Sequence, residues 1–504
     1  VQTCALPISV FDPAFEQALP VTPMQVKYRL EHALLDAGVQ LLYMTYPMWA
    51  VRDSDGGLAG CVVADRSGFQ LIRAACVIDA TERAMAARQW QMPFRELPSG
   101  EYAVDYVTIG GAPEAAVCGD VRELPGGVAV GDQTFTGYAW RLSLPFADAG
   151  PAAFARAEAT ARARTWQPGQ VWAADRPFVL LPDRLRAGVS IPAWPGADAV
   201  DLAAFRVPGE RLFVLGAGAD VADAAVVALM QPYNLMRVGQ RLGTAAADEA
   251  AAGTGDDELH VDYACEPVAD VHMQRADSWF RLQPGELEVD LGRVPVLGSC
   301  DVAVAGGGTA GAPAAIAAAR AGADTVVLEY QPRLGGVSTV GRIASYYHGN
   351  RCGFTSEIDA GVAAMGADER HPAGSGRWHN EWKQQWYMQQ IADAGGQVWF
   401  GAMNAGAAVD DGRVCGVLAA TPYGFGLVRA GAVVDATGGA DVAAAAGAET
   451  RTVGREHVAV QGTGLSPVVP DHDYTNTDHT FIDDADVLYV TLPMVSVGSL
   501  LIST

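Results

Sequence analysis

Asp301-Val302-Ala303-Val304-Ala305 is a short apolar run of strand type, and Gly306-Gly307-Gly308-Thr309-Ala310-Gly311 follows it without a break. The spacing is GxGxxG, and each fixed glycine has a physical task. Gly306 permits the tight turn out of a strand. Gly308, lacking a side chain, lets backbone approach a pyrophosphate. Gly311 lets a helix pack closely on the strand. The Ala-rich stretch Ala314–Arg320 then supplies a helix whose first N–H groups and positive dipole end face the phosphates. Gly307, Thr309 and Ala310 complete the loop. A second apolar run, Thr325-Val326-Val327-Leu328, ends at Glu329, 23 residues after Gly306. A carboxylate there accepts ribose hydroxyls and disfavours a 2′-phosphate. Strand, glycine loop, helix, strand and acid together specify dinucleotide binding.

A second glycine loop follows the acid. Tyr330 and Arg333 lead into Gly335-Gly336, then Thr339 and Gly341. A plain nicotinamide-dependent fold does not need this loop. A longer cofactor lying along the domain does, because its pyrophosphate and ribityl chain pass more backbone. Asp435-Ala436-Thr437-Gly438, at the end of a later buried strand, supplies another edge of the same crevice.

In these residues the sequence resembles FAD-dependent oxidoreductases of the glutathione-reductase-like fold, related to heterodisulfide-reductase-like and fumarate-reductase-like flavoproteins. The resemblance implies an α/β fold: an FAD/NAD(P)-binding Rossmann-like parallel sheet with helices on both faces, a β-meander, and a mixed α+β substrate or cap region. It implies FAD as a non-covalent cofactor carrying hydride or electrons between a small organic substrate and an acceptor. In this fold the loop after the second glycine motif runs near the flavin ring. His348 there is the expected proton donor or acceptor, and Arg342 or Arg351 can hold a substrate carboxylate. Two other readings stand beside this one: a degenerate flavoprotein module with a binding or scaffolding role, and an NAD-dependent Rossmann dehydrogenase, which the second glycine loop opposes.

The elements that position these residues occur twice. Asp36-Ala37-Gly38 and a stretch ending Val77-Ile78-Asp79-Ala80-Thr81 match Asp393-Ala394-Gly395 and a stretch ending Val433-Val434-Asp435-Ala436-Thr437, at a shift of about 356 residues. Each copy reads as helix, glycine C-cap, strand, Asp-Gly hairpin and buried parallel strand. A period this long is that of a whole module. The expected organisation is residues 9–250 as the C-terminal part of a first FAD-type module, 251–297 as a linker, and 298–504 as the N-terminal part of a second module carrying the glycine loop. Arg211–Gly218 resembles the family's late strand-and-glycine motif, and Gly239–Ala247 its closing helix. The first copy departs from the family at Glu82, where a glycine is common, and at Met230, where an arginine is common. A further expectation is that the two halves pair as if circularly permuted, completing one flavin crevice.

The 504 residues carry a net charge of −24, which disfavours nucleic acid and anionic membranes as partners. No apolar run approaches the ~20 residues of a membrane span. The eight cysteines form no CxxC, and no HExxH is present, so no metal site is expected and buried thiols are the default. Trp378, Trp382 and Trp386 lie at helical spacing, the pattern of packing. Asp483, Asp484 and Asp486 read as a solvated loop. Val1–Ile8 resembles a translated library adapter, so the native N-terminus is read as missing. A soluble, cytoplasmic protein is the default expectation; an oligomer is allowed.

Overall fold

In the computed structural model, the described residues are 23–450, except 66–67, 114–119, 131–132, 252, 254–257, 263–269, 274–293, 347–350 and 367–375. His348, Trp279-Phe280 and the acidic group at 483–486 lie outside the described residues.

Val296–Ala305, Thr325–Glu329 and Gln397–Phe400 pair in parallel. Thr325–Glu329 is buried throughout, as a strand covered on both faces is, whereas in the first strand only Ala303–Ala305 are. Gly424–Asp435 pairs in parallel with Val296–Ala305 along most of its length, from Val296↔Leu427 to Ala305↔Asp435. Its other edge pairs antiparallel with Arg413–Thr421, over Gly424–Arg429. One sheet of seven strands results, in the order 270–273, 403–410, 413–421, 424–435, 296–305, 325–329, 397–400. The long strand thus joins the meander to the Rossmann-like half.

Alternation decides which layer each residue meets. Val304, Val327, Val398 and Phe400 face helices Gly311–Arg320, Phe354–Ala364 and Asn380–Asp393. Ala303, Ala305, Val326, Leu328 and Trp399 face the opposite layer, where Ala155 and Val442 cover them. Ala155 belongs to helix Pro151–Thr165 of the first half, so that half supplies part of the second half's covering.

The two stretches that match in sequence also correspond in several elements. Helix Pro23–Asp36 corresponds to Asn380–Asp393, and each ends at a left-handed glycine, Gly38 and Gly395. The correspondence extends to single hydrogen bonds. Asp79 Oδ1 accepts from Thr81 N and Oγ1, at 3.0 and 2.7 Å, while its Oδ2 accepts from Ala87 N at 2.9 Å. Asp435 does the same for Thr437 and Ala443, at 3.1, 2.7 and 2.8 Å. Ala84 and Ala440, 356 positions apart, both sit at left-handed φ, 52° and 57°. The two meanders pack on each other through Met48, Trp49 and Val62 against Met403, Leu418 and Phe425. Phe69 meets its own counterpart, Phe425, edge to face at 5.7 Å.

Two expectations change here. The stretch read as a linker contributes a strand to each meander: His260–Asp262 pairs with Tyr46–Arg52, and Asp270–Met273 pairs with Met403–Asp410. Unpaired backbone at both meander edges makes such pairing favourable. The late strand Leu212–Val214 pairs in parallel with Val77–Asp79 of its own half and not with the seven-stranded sheet. The halves therefore hold two separate parallel sheets. The late strand therefore stays with its own half. The described cysteines also differ from the buried default: Cys61, Cys76, Cys300 and Cys415 are half-buried and Cys352 is exposed.

Candidate functional site

Gly306 leaves the strand at φ 92°, and a Cβ there would stand 2.5 Å from Ala436 O. Gly311 sits so close that a Cβ would lie 1.8 Å from Gly306 O. Both glycines are thus required by backbone approach inside the protein. Gly308 is different: a Cβ there would meet nothing within 4 Å. Its missing side chain leaves open space rather than relieving a contact.

Glu329 is 4% exposed, and its two oxygens hold backbone. Oε2 accepts from Gly307 N and Oε1 from Gln331 N, each at 2.7 Å. The acid therefore clamps the first loop to the start of the second. Carboxylate–amide bonds of this kind are charge-assisted and stronger than neutral ones. The two loops also bind each other directly. Gly335 N donates to Gly307 O at 2.9 Å, and Thr309 Oγ1 to Gly335 O at 3.2 Å. Gly335 and Gly336 both have left-handed φ, and a Cβ on Gly336 would lie 3.2 Å from Gly308 Cα. Thr339 Oγ1 bonds back to Leu334 O, and Gly341 admits the backbone of Val337. Ala436 N donates to Ala305 O at 2.8 Å, and this sets Ala436, Thr437 and Gly438 beside Gly306. Tyr330 follows Glu329 and is half-buried.

Arg333 turns away from this cradle. Its guanidinium pairs with Glu381, donates to Ala173 O at 2.9 Å, and lies over Trp172. Glu381 also accepts from Gln170 Nε2 at 2.9 Å. Gln170, Trp172 and Ala173 belong to the first half, so the residue after the second strand ties the halves together. Sequence reasoning missed the roles of Glu381 and Trp172: Glu381 joins Arg333, 48 residues away, to Gln170, 211 residues away, and Trp172 meets Arg333 from the other half.

Sequence reasoning also missed Lys383. It is 1% exposed, and its Nζ lies 3.5 Å from the centre of the Trp378 ring and 3.4 Å from Tyr346 Oη. Trp378 Nε1 in turn donates to Ser338 O of the second glycine loop, at 2.7 Å. Burial pushes the lysine down to about 8, against a smaller opposing pull from Asp359. Burial, reinforced by Asp359, raises Tyr346 to about 12. A lysine with Trp382, Trp386 and Tyr387 at i−1, i+3 and i+4 is the signal that was available.

The sign of the resulting pH dependence follows directly. Between about 8 and the ordinary 10.5, the unfolded chain holds a proton on this lysine that the folded protein does not. Stability therefore rises with pH across that window, and the penalty is complete below it. Lys383→Met is expected to be stabilised relative to the parent by up to about 3 kcal/mol at pH 7, with the gap closing toward pH 10.5. Urea midpoints at pH 7 and pH 10 measure this; a gap that does not change with pH would refute it.

Among the described residues no group of three or more His, Cys, Asp or Glu side chains is placed to hold a metal, and no helix is long and apolar enough to cross a membrane.

Residues 301–490 match the family described as FAD dependent oxidoreductase. That match points to FAD as the cofactor of the segment and to oxidation–reduction as its class of chemistry. Solved structures with partial likeness include a geranylgeranyl bacteriochlorophyll reductase-like protein from Thermoplasma acidophilum, 22% identical, covering 32% of this chain and 44% of that one, with a TM-score of 0.24. L-proline dehydrogenase from P. horikoshii is 14% identical, with 31% and 57% covered and a TM-score of 0.24. Glycerol-3-phosphate dehydrogenase from Bacillus halodurans, complexed with FAD, is 19% identical, with 27% and 34% covered and a TM-score of 0.21. The chain thus spans less than two thirds of each of these proteins, and overlaps this small say nothing about substrate. No curated protein matches the sequence.

Proposed function

We propose that the protein transfers hydride or electrons between a small organic substrate and a separate acceptor, through one FAD held by the second half. The observation that carries this reading is the pair of interlocked glycine loops, with open space at Gly308 where a side chain would otherwise stand. Residues 308–311 offer backbone N–H groups at the start of helix Gly311–Arg320 to a pyrophosphate, while those of Gly306 and Gly307 are held by Leu328 and Glu329. Glu329 fixes that loop and retains lone pairs for ribose hydroxyls. Gly335, Gly336, Thr339 and Gly341 form the second wall, and Ala436, Thr437 and Gly438 the edge beside Gly306. The flavin supplies the redox chemistry when bound; the chain supplies orientation, electrostatics and exclusion of water. His348 is assigned the substrate's proton.

A scaffolding role is favoured for the first half alone. Where the second copy has Gly438 and Gly439, the first has Glu82 and Arg83, and Arg83 is buried in a pair with Asp183 at 2.7 Å. Its helix Pro151–Thr165 meanwhile covers the second half's sheet. The purified chain, reconstituted with FAD, is therefore expected to be yellow with one flavin per chain by absorption. A colourless preparation that takes up no FAD would reject the proposal, and two flavins per chain would reject the scaffolding role.

A further inference from the structure

The second glycine loop presents a patch that flavin chemistry alone does not explain. Val337, Val340 and Ile343 are all exposed large apolar residues within seven positions of one another. The loop folds back on itself, with Ile343 N donating to Val337 O at 3.0 Å, so that they form one surface. In the midst of them stands Arg342. Its backbone has φ 57°, a conformation that non-glycine residues seldom adopt and that concentrates at functional sites. Its guanidinium lies 4.7 Å from the centre of the Trp172 ring, contributed by the first half. Among the described residues it has no carboxylate partner. Neighbouring Arg333 does, in Glu381 and, at 3.7 Å, Asp175. An arginine with no carboxylate partner among the described residues, in a chain of net charge −24, stands out against its surroundings.

A guanidinium stacked on an indole keeps its N–H edge for an anion, and that edge matches a carboxylate in two-point geometry. The apolar residues beside it accommodate an uncharged hydrocarbon body. We infer that Val337, Val340, Ile343, Arg342 and Trp172 form the substrate-recognition surface, and that the substrate class is a carboxylate carried on an apolar body. This rests on the flavoenzyme reading above and deepens it. It also gives the first half a direct part in specificity, through Trp172. The turn Thr339–Arg342, with Arg342 N bonded to Thr339 O at 3.1 Å, holds the guanidinium in place before any ligand arrives.

Calorimetric titration of the full chain with phenylacetate, 2-phenylethanol and phenyl phosphate tests this. Phenylacetate is expected to bind at least ~10-fold more tightly than the alcohol, and Arg342→Gln to remove that preference. Trp172→Ala is expected to weaken phenylacetate by several-fold. Arg342→Gly, free of the backbone strain, is expected to melt at a higher temperature while losing the probe, a combination that a merely structural arginine would not give. Phenylacetate binding that Arg342→Gln leaves unchanged would overturn the inference, as would no binding of phenylacetate, benzoate or hexanoate. Tighter binding of phenyl phosphate would overturn the carboxylate class. The titrations run equally on flavin-free protein, so a colourless sample would count against the flavin reading while still deciding the role of Arg342.

Discussion

Gly308→Leu is expected to yield a folded protein that holds no flavin. A Cβ at this position meets no atom within 4 Å, and the backbone is outside the left-handed region, so the substitution disturbs nothing in the protein itself. The side chain instead fills the space beside Gly336, whose own Cβ would lie 3.2 Å from Gly308 Cα. That space is where the proposed pyrophosphate must approach backbone. Thermal unfolding should stay close to that of flavin-free parent protein, while FAD affinity falls by at least ~100-fold. Full flavin occupancy in Gly308→Leu would show that the cofactor lies elsewhere.

Gly311→Ala is expected to do the opposite and damage the fold first. One methyl group there would lie 1.8 Å from Gly306 O and 3.1 Å from Ala436 Cβ. Neither neighbour can yield without moving a strand end, since Gly306 N donates to Leu328 O and Ala436 N to Ala305 O. Overpacking against fixed backbone costs about 3 kcal/mol or more. The variant should show a lower melting temperature even without FAD, and flavin loss should follow from that. An unchanged melting temperature in the flavin-free variant would contradict the close approach. Taken together, the two glycines separate the part of the motif that serves the ligand from the part that serves packing.

Much of this site was legible in the sequence because its requirements are local. Gly306, Gly311 and Glu329 are set by a strand turning into a helix within about 25 residues, and residue type alone encodes that turn. The strand Thr325–Glu329 announced itself by a run buried on both faces. Trp382 and Trp386 lie in helix Asn380–Asp393 as their spacing indicates, with Trp378 just ahead of it, and all three tryptophans are buried. What escaped was non-local. Arg333 was read as a cofactor contact, yet its guanidinium spans the chain to Ala173 and pairs with Glu381. Glu329 was read as a ribose acceptor, and its backbone clamp on Gly307 depends on a loop geometry that spacing does not disclose. The strands inside the polar stretch 251–297 form only because two meander edges need partners. No residue in that stretch advertises such a demand.

An aspartate–threonine pair starts a short helix in each half. Asp79 with Thr81 and Asp435 with Thr437 keep the same bonds, and Ala84 and Ala440 keep the same awkward backbone. Between them, Glu82-Arg83 of one half stands where the other has Gly438-Gly439. The two halves thus agree in the bonds that hold their own backbone and differ where the proposed cofactor edge of the second half lies. On the reading proposed above, the first half keeps the architecture of such a site without its glycines and lends helix Pro151–Thr165 as a wall to the second half.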